Sequence, residues 1–158
     1  MLSSADNNIL PKDFVFPAAG SDNIEVFWNT YFAKYFKSVI GTKKNGSYFY
    51  VDFADGSSMR MIRGGVELHI EYDVNSFEKK PNSYGRDMYV YFLTREGKLV
   101  PYKWGLAFID GSGIEKPVGS LNDRANVLHL CAHISGFYCT QLLRMDNWEY
   151  KKDYPHKL

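Results

Sequence analysis

Residues 47–72 read SYFYVDFADGSSMRMIRGGVELHIEY. From Ser47 to Phe53 the period is two, which puts Phe49, Val51 and Phe53 on one face of a strand. Asp55-Gly56 is a hairpin signal, and Ser58 to Ile62 is its return strand. Gly64-Gly65 breaks the chain again. Val66, Leu68, Ile70 and Tyr72 then alternate with Glu67, His69 and Glu71, the pattern of a half-buried antiparallel strand. Strands joined by tight turns in this way predict an antiparallel sheet with one apolar face to cover.

The cover lies upstream. Ile24, Phe27, Trp28, Tyr31, Phe32, Tyr35, Phe36, Val39 and Ile40 recur at three- and four-residue spacing. They predict an amphipathic helix over 22–40, capped by Ser21 or Asp22 and ended by Gly41. So broad an aromatic stripe lies most simply against a sheet. Residues 1–20 hold Pro11 and Pro17 and little periodicity, and read as an extended lead-in.

Downstream, a polar loop runs from Asp73 to Arg86. Asp87 to Thr94 is a further strand, and Glu96-Gly97 turns it into Lys98 to Tyr102, where Pro101 suits a sheet edge. Trp104 to Ser120 is Gly-rich and irregular. Asn122 or Asp123 caps a short helix through Arg124 to Ala132, Gly136 resets the chain, and Phe137 to Arg144 reads as a last strand. An aromatic and charged tail, 147–158, follows. The expected fold is α+β: an N-terminal amphipathic helix packed on an antiparallel sheet, a short second helix and a closing strand. The organisation is a lead-in, 1–20, and one domain, 21–158.

Composition narrows the function. The chain of 158 residues is 45% hydrophobic and 16% aromatic, enough to build a core and too apolar for a disordered segment. Its net charge is +1, and the lysine pairs Lys43-Lys44, Lys79-Lys80 and Lys151-Lys152 sit near turns, so no nucleic-acid partner is expected. No window reaches the roughly 18 apolar residues of a membrane span, and no signal-peptide pattern opens the chain. The sequence is that of a naturally soluble chain or of one without its anchor.

Four groups of residues offer chemistry. Asp73, Asn75 and Asp87 carry side-chain oxygens at one loop, the kind of set that converges on calcium; alternatively, Asp73 and Asn75 fold the turn by bonding their own backbone. Cys131 and Cys139 form a disulfide in an oxidising compartment or stay as two reduced, buried thiols. His129 and His133, four apart on a helix, share a face and suit zinc with Cys131 or Cys139, although no acidic residue lies between them as in zinc hydrolases. Otherwise they are capping or half-buried histidines. Glu67, His69 and Glu71 line one strand face as ordinary surface. Gly111-Ser112-Gly113 lacks the lysine of a phosphate loop, and there is no Gly-x-Ser-x-Gly elbow. The expectation is a protein that is not an enzyme and has no cofactor, unless calcium binds.

Two segments carry a resemblance. One is Tyr72-Asp73-Val74-Asn75, then Pro81-Asn82-Ser83-Tyr84-Gly85-Arg86-Asp87, the strand Met88 to Leu93, and Gly97-Lys98-Leu99-Val100-Pro101. The other is Gly136-Phe137-Tyr138-Cys139-Thr140, then Asp146-Asn147-Trp148 and Asp153-Tyr154-Pro155. Together they resemble the C-terminal half of prepilin-type proteins of the type II secretion and type IV pilus class. Ser76 stands where that group usually carries Gly, and Lys80 stands where it carries Gly before Pro. Both changes weigh against a cation at Asp73, Asn75 and Asp87.

The resemblance implies an extracytoplasmic head domain, anchored in the membrane only through an N-terminal hydrophobic helix that is left off here. Its partners would be other pilin-like subunits, and a Cys131–Cys139 bond would staple the C-terminal region. The exposed loops, with Tyr102 and Trp104 as anchors, would contact neighbours. Two other functions compete: a secreted module recognising a glycan or peptide through its aromatic loops, and a small hydrolase using a metal at His129 and His133.

Overall fold

The computed structural model describes residues 10–102, 107–109 and 112–156. The described chain is α+β. Helix α1 (Ser21–Tyr31) is followed by a six-stranded sheet in the order β1 (Val39–Asn45), β2 (Tyr48–Phe53), β3 (Ser58–Gly64), β4 (Glu67–Asp73), β5 (Met88–Leu93) and β6 (Leu99–Pro101). The first four strands pair antiparallel through tight turns. A two-stranded ribbon of β7 (Ala107–Ile109) and β8 (Glu115–Pro117) precedes two short helices, α2 (Arg124–His129) and α3 (Cys139–Met145).

The chain divides into two compact units. The first runs to Lys80 and takes up Tyr91–Val100; the second comprises Pro81–Val90 and the chain from Pro101 onward. In the first unit, Phe49, Val51 and Phe53 are buried and the intervening residues are half-buried, as their alternation requires. Ile24, Phe27 and Trp28 of α1 share one buried cluster with them and with Met61, Leu68, Ile70 and Leu93. Removal of this much apolar surface from water is the main favourable term in the fold. The lead-in joins the same unit: Leu10 is buried in the cluster, Phe14 and Phe16 pack against it, and Arg63 Nη1 donates to the Pro17 carbonyl at 2.6 Å.

The structure corrects the expected helix at both ends. Its N-cap is Gly20, with no side-chain cap from Ser21 or Asp22. It stops at Tyr31, a 3₁₀ turn covers Ala33–Tyr35, and Val39 and Ile40 begin β1 instead of ending the helix. Two β-branched residues side by side favour a strand, and pairing with β2 supplies the hydrogen bonds. On β4, Leu68 and Ile70 are buried as expected, whereas Glu71 is also buried, and Val66, expected to begin the strand, lies just before it and is exposed. Glu71 forms an ion pair with Arg60 across the β3–β4 pair, so this carboxylate is not free surface.

The second unit is built around α2, a π-helical turn (Leu130–Ile134), a 3₁₀ turn (Gly136–Tyr138) and α3. Asp123 caps α2 by accepting from the Ala125 amide at 3.1 Å. The expected last strand over 137–144 is helical instead. Cys139, Leu142 and Leu143 are all buried, a spacing of three and four that suits one helix face. The Gly-rich stretch is not wholly irregular, since it contains β7 and β8. Trp104 lies outside the described residues.

Candidate functional site

The Asp73–Asp87 loop starts in the first unit. Asp73 ends β4 fully buried, and its Oδ1 accepts from the Asn75 amide at 2.9 Å. This is the turn-forming role of an Asp. Ser76 follows with φ 79°, in the left-handed region that L residues other than Gly, Asn and Asp seldom occupy. Ser76→Gly is expected to raise the unfolding free energy by roughly 0.5–1 kcal/mol, strain relief exceeding the extra chain entropy of Gly; a denaturant titration checks it.

In the second unit, Asp87 is buried and its Oδ1 accepts from the Ser83 amide at 2.6 Å. The Ser83 carbonyl accepts from the amides of Arg86, Asp87 and Met88 at 3.1–3.2 Å, closing a tight turn around Gly85. A side chain at Gly85 has no room: its Cβ would lie 2.5 Å from Cys139 Sγ, and φ there is +85°.

That contact leads to the disulfide. Cys131 and Cys139 are bonded, with Cα atoms 4.7 Å apart, and both are buried. The tail wraps the same place. Tyr154 donates its hydroxyl to the Gly85 carbonyl, and His156 Nε2 lies 3.1 Å from the Cys131 carbonyl oxygen. His129 and His133 lie with ring centroids 5.0 Å apart and planes tilted by 45°, and both are exposed. They do not join the cysteines. Among the described residues the converging group is Cys131, Cys139 and His156. Sequence spacing gave no sign of His156, which reaches the cysteines only because the tail turns back.

The tail is fixed by charge as well. Arg124 makes a bidentate pair with Asp146, at 2.7 and 2.8 Å, and a second with Asp153, at 2.8 and 2.9 Å; Lys151 adds a contact to Asp146 at 3.0 Å. Tyr89 and Tyr150 share a hydroxyl hydrogen bond of 2.6 Å. The Arg124 guanidinium, and then Lys151, hold the Asp146 carboxyl below the usual carboxylate range. A depressed folded-state pKa contributes stability that is present above the unfolded value and lost as pH falls through the folded one. We therefore expect the second unit to lose stability on acidification below about pH 4, and Asp146→Asn to flatten that loss. Melting temperatures across the acid range check both.

The first unit also holds a cavity of about 230 Å3, lined by Trp28, Phe32, Phe36, Met61, Tyr91 and Leu99 among others. The Tyr102 ring packs on Phe137 and Tyr138, with centroids 4.9 and 5.3 Å away, and the residue is half-buried. No helix among the described residues is long and apolar enough to cross a membrane.

No curated protein and no solved structure matches the chain. One family does, DUF6613, described as a family of unknown function, and it matches residues 16–158. That span takes in α1, the whole sheet and the disulfide-bearing unit, and the chain belongs to the DUF6613 family.

Proposed function

We propose that the chain is a non-catalytic structural subunit of a pilus or of a type II secretion pseudopilus-like assembly, working as its extracytoplasmic head. The observation that carries the reading is an order of parts. An apolar helix face shares a core with an antiparallel meander. The Ser83–Asp87 turn follows, and a disulfide-stapled unit closes the chain. This is the order in which the resembling pilin-like proteins carry their helix, loop and cysteine-bearing end.

Exposed apolar side chains support subunit contacts. Val26, Tyr35 and Ile40 are 65, 70 and 71% exposed. A monomer leaves them wet, and a packed array covers them. The test is to place single cysteines at Val26 and Ile40 in the source cells and label with a maleimide. Labelling of the free chain, with protection in the assembled fraction, supports the reading. Equal labelling in all fractions contradicts it.

Calcium belongs to the proposal on donor chemistry, with Asp73 and Asn75 offering oxygens in the first unit and Asp87 in the second. Among the described residues, Asn75 Oδ1 and Asp87 Oδ2 are buried and make no hydrogen bond, and oxygen donors of this kind suit a hard cation. Melting in excess calcium and in chelator is expected to differ, with about 2.7 kcal/mol of stabilisation when calcium is 100-fold above its Kd. Identical melting curves would leave the residues as turn formers only.

A second reading, a secreted module recognising a glycan or peptide, has one observation in its favour. Trp148 and Tyr150 are 53 and 46% exposed in the tail, and contact aromatics are reachable in this way. Quenching of Trp148 fluorescence on titration with oligosaccharides or peptides would favour it over the assembly reading.

A further inference from the structure

The strongest unassigned group lies at the disulfide, and it does not depend on the assembly reading. Cys131 Sγ, Cys139 Sγ and a ring nitrogen of His156 all lie within 4.8 Å of one another. The cysteines are 1 and 0% exposed, and His156 is half-buried. The three residues come from three places: the π-helical turn, the first residue of α3 and the tail.

The histidine is held there from two sides. Its Nε2 sits 3.1 Å from the Cys131 carbonyl oxygen, and a carbonyl partner of this kind fixes the ring of a metal-bound histidine. Two residues before it, the Tyr154 hydroxyl bonds the Gly85 carbonyl, and Asp153 is paired with Arg124. The Gly85 backbone forms the opposite wall: a Cβ there would stand 2.5 Å from Cys139 Sγ and 2.8 Å from His156 Cδ2. Two thiols and an imidazole in a buried recess are a soft donor set of the kind that takes zinc.

We propose that the reduced chain binds one zinc ion through the Cys131 and Cys139 thiolates and His156, with water in the fourth position. Disulfide and metal are then alternative states of one place. A dithiol reductant converts the Cys131–Cys139 bond to two thiols and itself becomes a disulfide. Zinc then displaces the two thiol protons, which leave to solvent. The sulfurs, now unbonded, separate to roughly 3.8 Å, the spacing that two Zn–S bonds of about 2.3 Å at a tetrahedral angle require. A small-molecule disulfide oxidant reverses the sequence: it takes up the two electrons and two protons and becomes two thiols, the Cys131–Cys139 bond re-forms, and the ion is released. The site thus gives the thiols a protected form before they pair.

The test uses the full chain, reduced with a dithiol that is then removed without air, and Co²⁺ as the probe. One Co²⁺ per chain is expected, with thiolate-to-cobalt charge-transfer and tetrahedral d–d absorption, displaced by one equivalent of Zn²⁺. The oxidised chain is expected to show neither band. His156→Ala is expected to weaken Co²⁺ binding at least about tenfold and to alter the d–d bands, whereas the His129→Ala/His133→Ala double variant binds as the parent does. Because His156→Ala leaves both cysteines in place, its oxidised form reports by circular dichroism whether the fold survives the substitution. Unchanged affinity in His156→Ala overturns the proposal, as does loss of binding in the His129/His133 variant or equal binding by the oxidised chain.

Discussion

Replacing Trp28 with alanine is expected to lower the unfolding free energy of the first unit by about 3–5 kcal/mol, the range for deleting a large buried aromatic. Trp28 is 1% exposed. Its ring stacks on Phe32 at 5.9 Å and lies 5.1 Å from Phe36 and 6.3 Å from Phe49, centroid to centroid. It therefore joins α1, the turn after it and the apolar face of β2. It also forms part of the wall of the 230 Å3 cavity. Truncation enlarges a space that is already there, and the energetic penalty grows with the volume that the surroundings fail to fill. Denaturant unfolding followed by far-UV circular dichroism measures the change. Trp28→Phe is expected to lose clearly less, since it keeps a ring at the same place. A loss below about 1 kcal/mol for the alanine variant, within the range of surface substitutions, would mean that the helix is not held through this residue.

The second large effect is at the disulfide. The Cys131→Ala/Cys139→Ala variant is expected to be about 2–5 kcal/mol less stable than the parent. Some 2–3 kcal/mol of this is the entropy of an unfolded chain no longer closed over a separation of eight residues. The rest comes from the space left beside Gly85, Tyr154 and His156, where the sulfurs pack. Denaturant unfolding of the two oxidised proteins side by side measures the effect. A dithiol is expected to bring the parent down toward the variant and to leave the variant unchanged. Equal stability of the two oxidised proteins would show that the bond does not staple the fold.

The sequence made the sheet legible because its strands carry a clean period of two and their turns carry Asp-Gly and Gly-Gly. Phe49, Val51 and Phe53 needed no more than that. The end of α1 was not legible. Phe36, Val39 and Ile40 continue the three- and four-residue spacing, and only pairing with β2 shows that the last two belong to a strand. The same ambiguity misplaced Phe137 to Arg144, where a short apolar run fits a strand or a helix equally. Packing of Cys139, Leu142 and Leu143 selects the helix. Asp73 and Cys131–Cys139 could be singled out by residue type, but each had two readings. The Asn75 amide bonds one Asp73 oxygen, as a turn former requires, which leaves the calcium reading to its melting test, and the bonded sulfurs resolve the second. Glu71 and His156 were hidden for different reasons: the partner of Glu71 depends on the register of the β3–β4 pair, which sets Arg60 opposite it, and His156 meets the disulfide only because the tail turns back.

The assembly proposal is tested most directly by locating the chain in its source cells. Surface filaments are sheared off, membranes and cytosol are separated, thiols are trapped at lysis, and each fraction is blotted. The proposal expects the chain in the sheared-filament and membrane fractions, with Cys131 and Cys139 oxidised. A chain found only in the cytosol, with two free thiols, would contradict it.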